Sequence, residues 1–203
     1  MLFVWTQHAV KDHVANNIRL IHAKRSNKNY SSNWGLLDDW GMHFKSQNPG
    51  SLFHLERDGQ KRFLRMFIGM ADTARTALCT GINFSGIDGT HFKHQIWKGT
   101  ALFLVTRDGN NKVLLLACCV CRTENGDNYK YFAAWCEKIP ELKEYLNRAH
   151  GILYSDRFKG IPAFEEFFSV GNMNCLVHIV ENCRVHCRKN GGDCSFAAAV
   201  SHI

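Results

Sequence analysis

The chain has 203 residues, 45% hydrophobic and 21% charged, enough for one compact domain with a real core and unlike a disordered chain. Its net charge of +7 suits a polyanionic partner without requiring one. No run approaches the roughly 18 apolar residues of a membrane span, and the start lacks a secretory pattern.

Nine cysteines form no compact disulfide framework, and Cys118, Cys119 and Cys121 lie in an apolar run where they read as small buried hydrophobes. A reducing cytosol or nucleus, and no membrane, is the resulting expectation.

In chain order, Val10 to Ala23 is a weakly amphipathic helix with Val14, Ile18 and Ile21 on one face. A basic loop with Lys24, Arg25 and Lys28 follows. "WGLLDDWGMHFKSQ" reads as helix up to the stop at Asn48-Pro49-Gly50. "RFLRMFIGMADTARTAL" spaces Phe63, Met66, Phe67 and Met70 at helical intervals, so residues 1–80 are expected to form a mainly helical segment.

From residue 81 the pattern changes. "INFSGID" is a short strand ending on Asp88. "GTALFLVTRDGNNKVLLLACCVC" is two β-rich runs joined by Asp108-Gly109-Asn110-Asn111, a strong hairpin signal. Helix is expected over "DNYKYFAAWCEKI", and again from beyond Pro140 to Gly151. "ILYSD" is a strand stopping on Asp156, "IPAFEEFF" a helix with an early proline. "NMNCLVH" is a last strand, and "IVENCRVHCRKNGG" a helix stopped by Gly191 and Gly192. This order predicts an α/β mixed sheet flanked by helices over residues 81–203.

Two strands ending on aspartates matter because ligands of open α/β sheets gather outside the carboxyl ends of strands. Paired carboxylates hold hard divalent cations through oxygen, and such ions can assist phosphodiester cleavage. Taken alone the pattern stays open: an Asp-Gly pair also makes turns, and an aspartate after a strand also caps helices.

"GIDGTHFKHQIWKGTALFLVTRDGNNKVLLLACCVCRTEN", "YKYF", "ILYSDRFKGIPAFEEFF" and "NCLVHIVEN", in this order, resemble the core signature of the MULE transposases. These form the Mutator-like branch of the DDE superfamily. "NPGSLFHLERDGQKRFLRMFI" resembles the segment preceding their catalytic domain, and the likeness covers roughly residues 35 to 200. It implies a ribonuclease-H-like fold and metal-dependent DNA strand cleavage and strand transfer at transposon ends. It further implies magnesium or manganese as cofactor, DNA as partner and the nucleus as compartment, and it leaves a homo-oligomer open. By position, Asp88 in "IDGTH" matches the first metal-binding catalytic acid and Asp156 in "YSDR" the second. Cys175 and His178 match the family's Cys-x-x-His motif, with Asn182 completing its "H..EN" form.

Two departures stand out. The family's third acid is a glutamate on a helix well after the Cys-x-x-His motif. Here the glutamates from Glu137 to Glu181 lie too early and nothing acidic follows Asp193, so the third acid is expected to be missing. Tyr129 also stands where the family's "W.WF" segment usually has tryptophan. The rival expectation is therefore a catalytically inactive, transposon-derived DNA-binding or protein-interaction domain that keeps the fold.

The remaining candidates are weaker. His91, Lys93 and Arg157 flank the acids closely enough to position DNA, although surface histidines and simple salt bridges are commoner. Cys175, His178, Cys183, His186, Cys187 and Cys194 match no closed zinc module, so zinc is disfavoured against packing. Ser155 has no histidine placed as its base by any recognisable motif.

Overall fold

A computed structural model describes residues 34–80, 82–93, 98–156 and 161–189. The expected helix over Val10–Ala23, the basic loop, Arg157 and the Gly191-Gly192 stop lie outside the described residues.

A 3-10 turn at Trp34–Leu36 leads into α1, Leu37–Gln47. Two strands follow, β1 (Leu52–Arg57) and β2 (Phe63–Gly69), then α2 (Ala71–Thr80). β3 is Phe84–His91, β4 Thr100–Arg107 and β5 Val113–Cys121. Next come α3 (Gly126–Glu137), α4 (Pro140–Leu146), β6 (Ile152–Ser155), α5 (Ile161–Glu165), β7 (Gly171–Asn174) and α6 (Leu176–Lys189).

The strands form one seven-stranded mixed sheet in the order β1-β2-β5-β4-β3-β6-β7. Pairing is antiparallel from β1 through β3 and parallel for β3–β6 and β6–β7. The molecule is thus mixed α/β, with helices flanking the sheet, as the element order predicts.

The main core lies on one face of this sheet. Phe67, Ile87, Leu102, Leu104, Cys119 and Leu153 pack there against Ala74 and Ala77 of α2, Phe132 and Cys136 of α3, and Leu142 and Leu146 of α4. Alternation sends Ala101, Cys118 and Val120 to the other face, where Phe63, Met66, Phe92 and Phe103 surround them. The three β5 cysteines are buried, as expected, and burial pushes the Cys118 thiol up to about 12. Gly69 lets β2 approach its neighbours: a Cβ there would lie 2.2 Å from Ile139 Cδ1.

Several boundaries differ from the sequence reading. Residues 63–69 are a strand, not a helix, and β1 went unrecognised, so the described part of the N-terminal segment combines helix with a β-hairpin. Helical spacing in "RFLRMF" is overridden by pairing on both sides, with β1 and with β5. β3 runs three residues past Asp88 because β4 pairs with it as far as His91. α4 ends at Leu146, short of Gly151, where Asn147 closes it with its N–H on Lys143 O. "CLVH" belongs to the start of α6 rather than to the last strand: β7 stops at Asn174, and the Ile179 N–H donates to Cys175 O.

Candidate functional site

The register of the three parallel strands places the aspartates. Ile87 is partnered with Ser155, and Ser155 with Asn174. One step further along each chain stand Asp88, Asp156 and Cys175. Neighbouring strands run about 4.8 Å apart, so these residues stand side by side, Asp88 within β3 and Asp156 and Cys175 just past the carboxyl ends of β6 and β7. The row continues for one bond, with the Cys175 N–H donating to Ser155 O at 2.8 Å.

Asp88 is half-buried and Asp156 exposed. The Asp88 Oδ1 accepts from the Gly89 N–H at 2.8 Å, which orients its carboxylate, and its Oδ2 is withdrawn from solvent. Ser155, 4% exposed, donates its hydroxyl to Asp156 O at 2.9 Å. That bond ties the serine to the backbone at the strand end. Cys175 is buried and His178 half-buried two residues into α6. The His178 Nδ1 is withdrawn from solvent and has no hydrogen-bond partner among the described residues. Cys175 thus sits beside the end of β6 at the β7–α6 junction, with His178 one turn further along α6.

His91 and Lys93 follow Asp88 on the same chain but do not converge on it. His91 sits at an odd offset from Asp88, hence on the other face of β3, and its Nδ1 bonds Thr100 Oγ1 at 3.0 Å. Lys93 lies exposed beyond the strand end. Among the described residues, no three His, Cys, Asp or Glu side chains are assembled into a group that could hold a metal ion.

Glu124 is a residue that sequence reasoning passed over. β5 runs parallel to β3 across β4, so its carboxyl end lies at the same end of the sheet, and Glu124 follows three residues later. Its carboxylate lies over Gly89: a Cβ built on that glycine would stand 2.7 Å from Glu124 Oε2. The Tyr129 hydroxyl, from α3, donates to Glu124 Oε1 at 2.9 Å. Burial, then the Glu124 and Asp88 carboxylates, push the Tyr129 phenol well above its ordinary range, which keeps it a hydrogen-bond donor. The signal was available in "RTENGDNY": an acid between a strand and an Asn-capped helix.

No family model matches the chain, and no curated protein matches it. A solved structure, the simian T-cell lymphotropic virus intasome in complex with the PP2A regulatory subunit B56 gamma, is similar over 59% of this chain and 45% of that one, at 12% identity and a TM-score of 0.30. The chain thus spans less than half of that neighbour's length, and so slight a likeness carries no argument. No helix among the described residues is long and apolar enough to cross a membrane.

Proposed function

We propose that this chain is the ribonuclease-H-like core of a Mutator-like transposase, a fold for metal-dependent cleavage and transfer of DNA strands. The observation that carries this reading is the parallel register of β3 and β6, which sets Asp88 and Asp156 next to each other one residue beyond Ile87 and Ser155. The strand order β5-β4-β3-β6-β7 supports it, with three antiparallel strands followed by two parallel ones, the arrangement expected of ribonuclease-H-like domains.

The donor set fits a hard cation. Both acids offer anionic oxygens, and the Gly89 N–H orients the Asp88 carboxylate. Magnesium or manganese, when bound, offsets the charge that develops on phosphate oxygens during hydrolysis and transfer. The protein's part is to keep the two carboxylates at a fixed separation, Asp88 on β3 and Asp156 just past the end of β6. Exposed Lys93 is available to a DNA phosphate outside the pair, where such contacts supply much of the affinity.

Manganese titration by calorimetry tests this on the wild type beside folded Asp88→Asn and Asp156→Asn variants. The wild type is expected to bind and both variants to lose binding. Equal binding by all three, or none by the wild type, rejects the metal centre. DNA binding that ignores both acids and added metal would then favour the rival, a non-catalytic DNA-binding domain of the same fold.

A further inference from the structure

His91, Thr100, Cys121 and Arg65 form one cross-strand row at the end of the sheet where β3 and β5 finish and β4 and β2 begin. Four cations stand just past this row. Lys93 follows β3 and Lys98 precedes β4, and the Phe92 N–H, donating to Gly99 O at 2.8 Å, holds the two segments together there. Arg122 follows β5, and Lys61 sits in the β1–β2 turn with its φ of 60°. All four are exposed, and none has a carboxylate partner among the described residues.

The acids of this end are engaged elsewhere. Asp58 pairs with Arg62, Glu56 with Arg65 and Asp38 with Arg57, while Glu124 accepts from the Tyr129 hydroxyl. Asp127, in the first turn of α3, is a further acid here. Like charges gathered without counter-charges repel, and a polyanion relieves that repulsion. The opposite end of the sheet differs. Arg75 there bonds Asp72 and Glu141, and Arg148 donates to Leu78 O. Lys45 on α1 and Lys112 in the β4–β5 turn are exposed but stand at separate places.

We propose that Lys61, Arg122, Lys98 and Lys93 form a track for the phosphate backbone of DNA, laid across the strand ends toward the candidate acids. The inference rests on the DNA reading above and deepens it by naming the surface. From β2 through β5 and β4 to β3 there are three strand spacings, about 14 Å. One strand of B-DNA rises about 3.4 Å per phosphate, so the track spans about four phosphates. Asp88 stands three residues back from His91, about 10 Å along β3, so a backbone gripped by Lys93 and Lys98 arrives at the acids' end of that strand. Evenly spread cations with no apolar anchor among them suit a repeating phosphate chain; an acidic protein partner would call for a desolvated anchor.

The experiment is fluorescence anisotropy of a labelled DNA duplex of about twenty base pairs, titrated with the full chain in EDTA across a KCl series. Thermal melts show that each variant is folded. Lys61→Gln, Lys93→Gln, Lys98→Gln and Arg122→Gln should each reduce the steepness of log affinity against log salt by about 0.9 and weaken binding severalfold at about 100 mM salt. Lys45→Gln and Lys112→Gln should change neither. Equal losses from all of these substitutions would mean diffuse attraction to a basic protein and overturn the track. No loss from the four, or no DNA binding by the wild type, overturns it as well. Because EDTA removes divalent metal, the result is independent of the manganese titration. A track without manganese binding sinks the metal centre and leaves a DNA-binding domain of this fold. Manganese binding without the track sinks this inference alone.

Discussion

The sheet contains two hairpins built on the same loop and held by opposite means. In β1–β2, Asp58 Oδ1 accepts from the N–H groups of Gln60 and Arg62, and Lys61 takes a positive φ of 60°. In β4–β5, Asp108 Oδ1 accepts from Asn110 and Lys112, and Asn111 takes a φ of 65°. The flanking strands then diverge. β5 is buried from Leu116 to Cys121, whereas every residue of β1 is half-buried at the edge of the sheet.

The edge hairpin is fastened through rings and charges. His54 stacks on Trp135 of α3 with ring centroids 3.9 Å apart, and its Nδ1 meets the Tyr131 hydroxyl at 2.8 Å. Arg65 lies 4.0 Å above the Tyr131 ring and bonds Glu56 at 2.6 Å. On the other side Phe53 packs edge-on to Trp40 of α1, close against Gly41. The central hairpin relies on aliphatic close packing instead. Identical turn chemistry therefore does not imply equal stability; what the strands touch decides it.

The largest expected contrast comes from truncating one anchor of each hairpin. Leu104→Ala in the central one should cost about 3 kcal/mol of global stability, seen in denaturant melts. Trp135→Ala, at a half-buried position, should cost less. Its effect on amide exchange should concentrate in β1 and β2, because edge elements open locally before the whole fold does. Uniform loss of protection across the sheet after Trp135→Ala would erase the distinction between the two hairpins.

Acid should sharpen the same contrast. Burial holds His54 below its ordinary value of 6.5, with Glu56 pulling upward and Lys138 and Arg65 pushing down. As pH falls, the unfolded segment takes up its proton first, so folding of the edge hairpin loses support from 6.5 downward and keeps it above. Exchange of β1 amides, corrected for intrinsic rates, should accelerate between about pH 7 and pH 5, and His54→Gln should flatten that dependence. The smallest effect is expected in the loops. Asp58→Ala and Asp108→Ala each remove the acceptor of two backbone N–H groups, and should raise exchange of those amides alone.

The hairpins also show where sequence reading works. Asp108-Gly109 lies between long runs of Leu, Val, Phe and Ala, and period and turn agree there. Asp58-Gly59 carries the same turn signal, but "RFLRMF" after it has helical spacing, and only pairing with β5 settles the conflict. The aspartate pair was legible because both lie next to short apolar strands; their adjacency is a matter of register, which only the folded sheet fixes. Glu124 was hidden because its carboxylate rests over a glycine far away in the chain. A residue lacking a side chain leaves no trace of what will lie over it.

The parallel pairing of β3 with β6 has a kinetic consequence. Between Asp88 and Asp156 the chain must lay down β4, β5, α3 and α4 before β6 can join β3. Such long-range pairings close late and slowly. The two aspartates thus come alongside only when the middle of the molecule is in place, and protection of the β6 amides during refolding would report completion of the sheet rather than its first collapse.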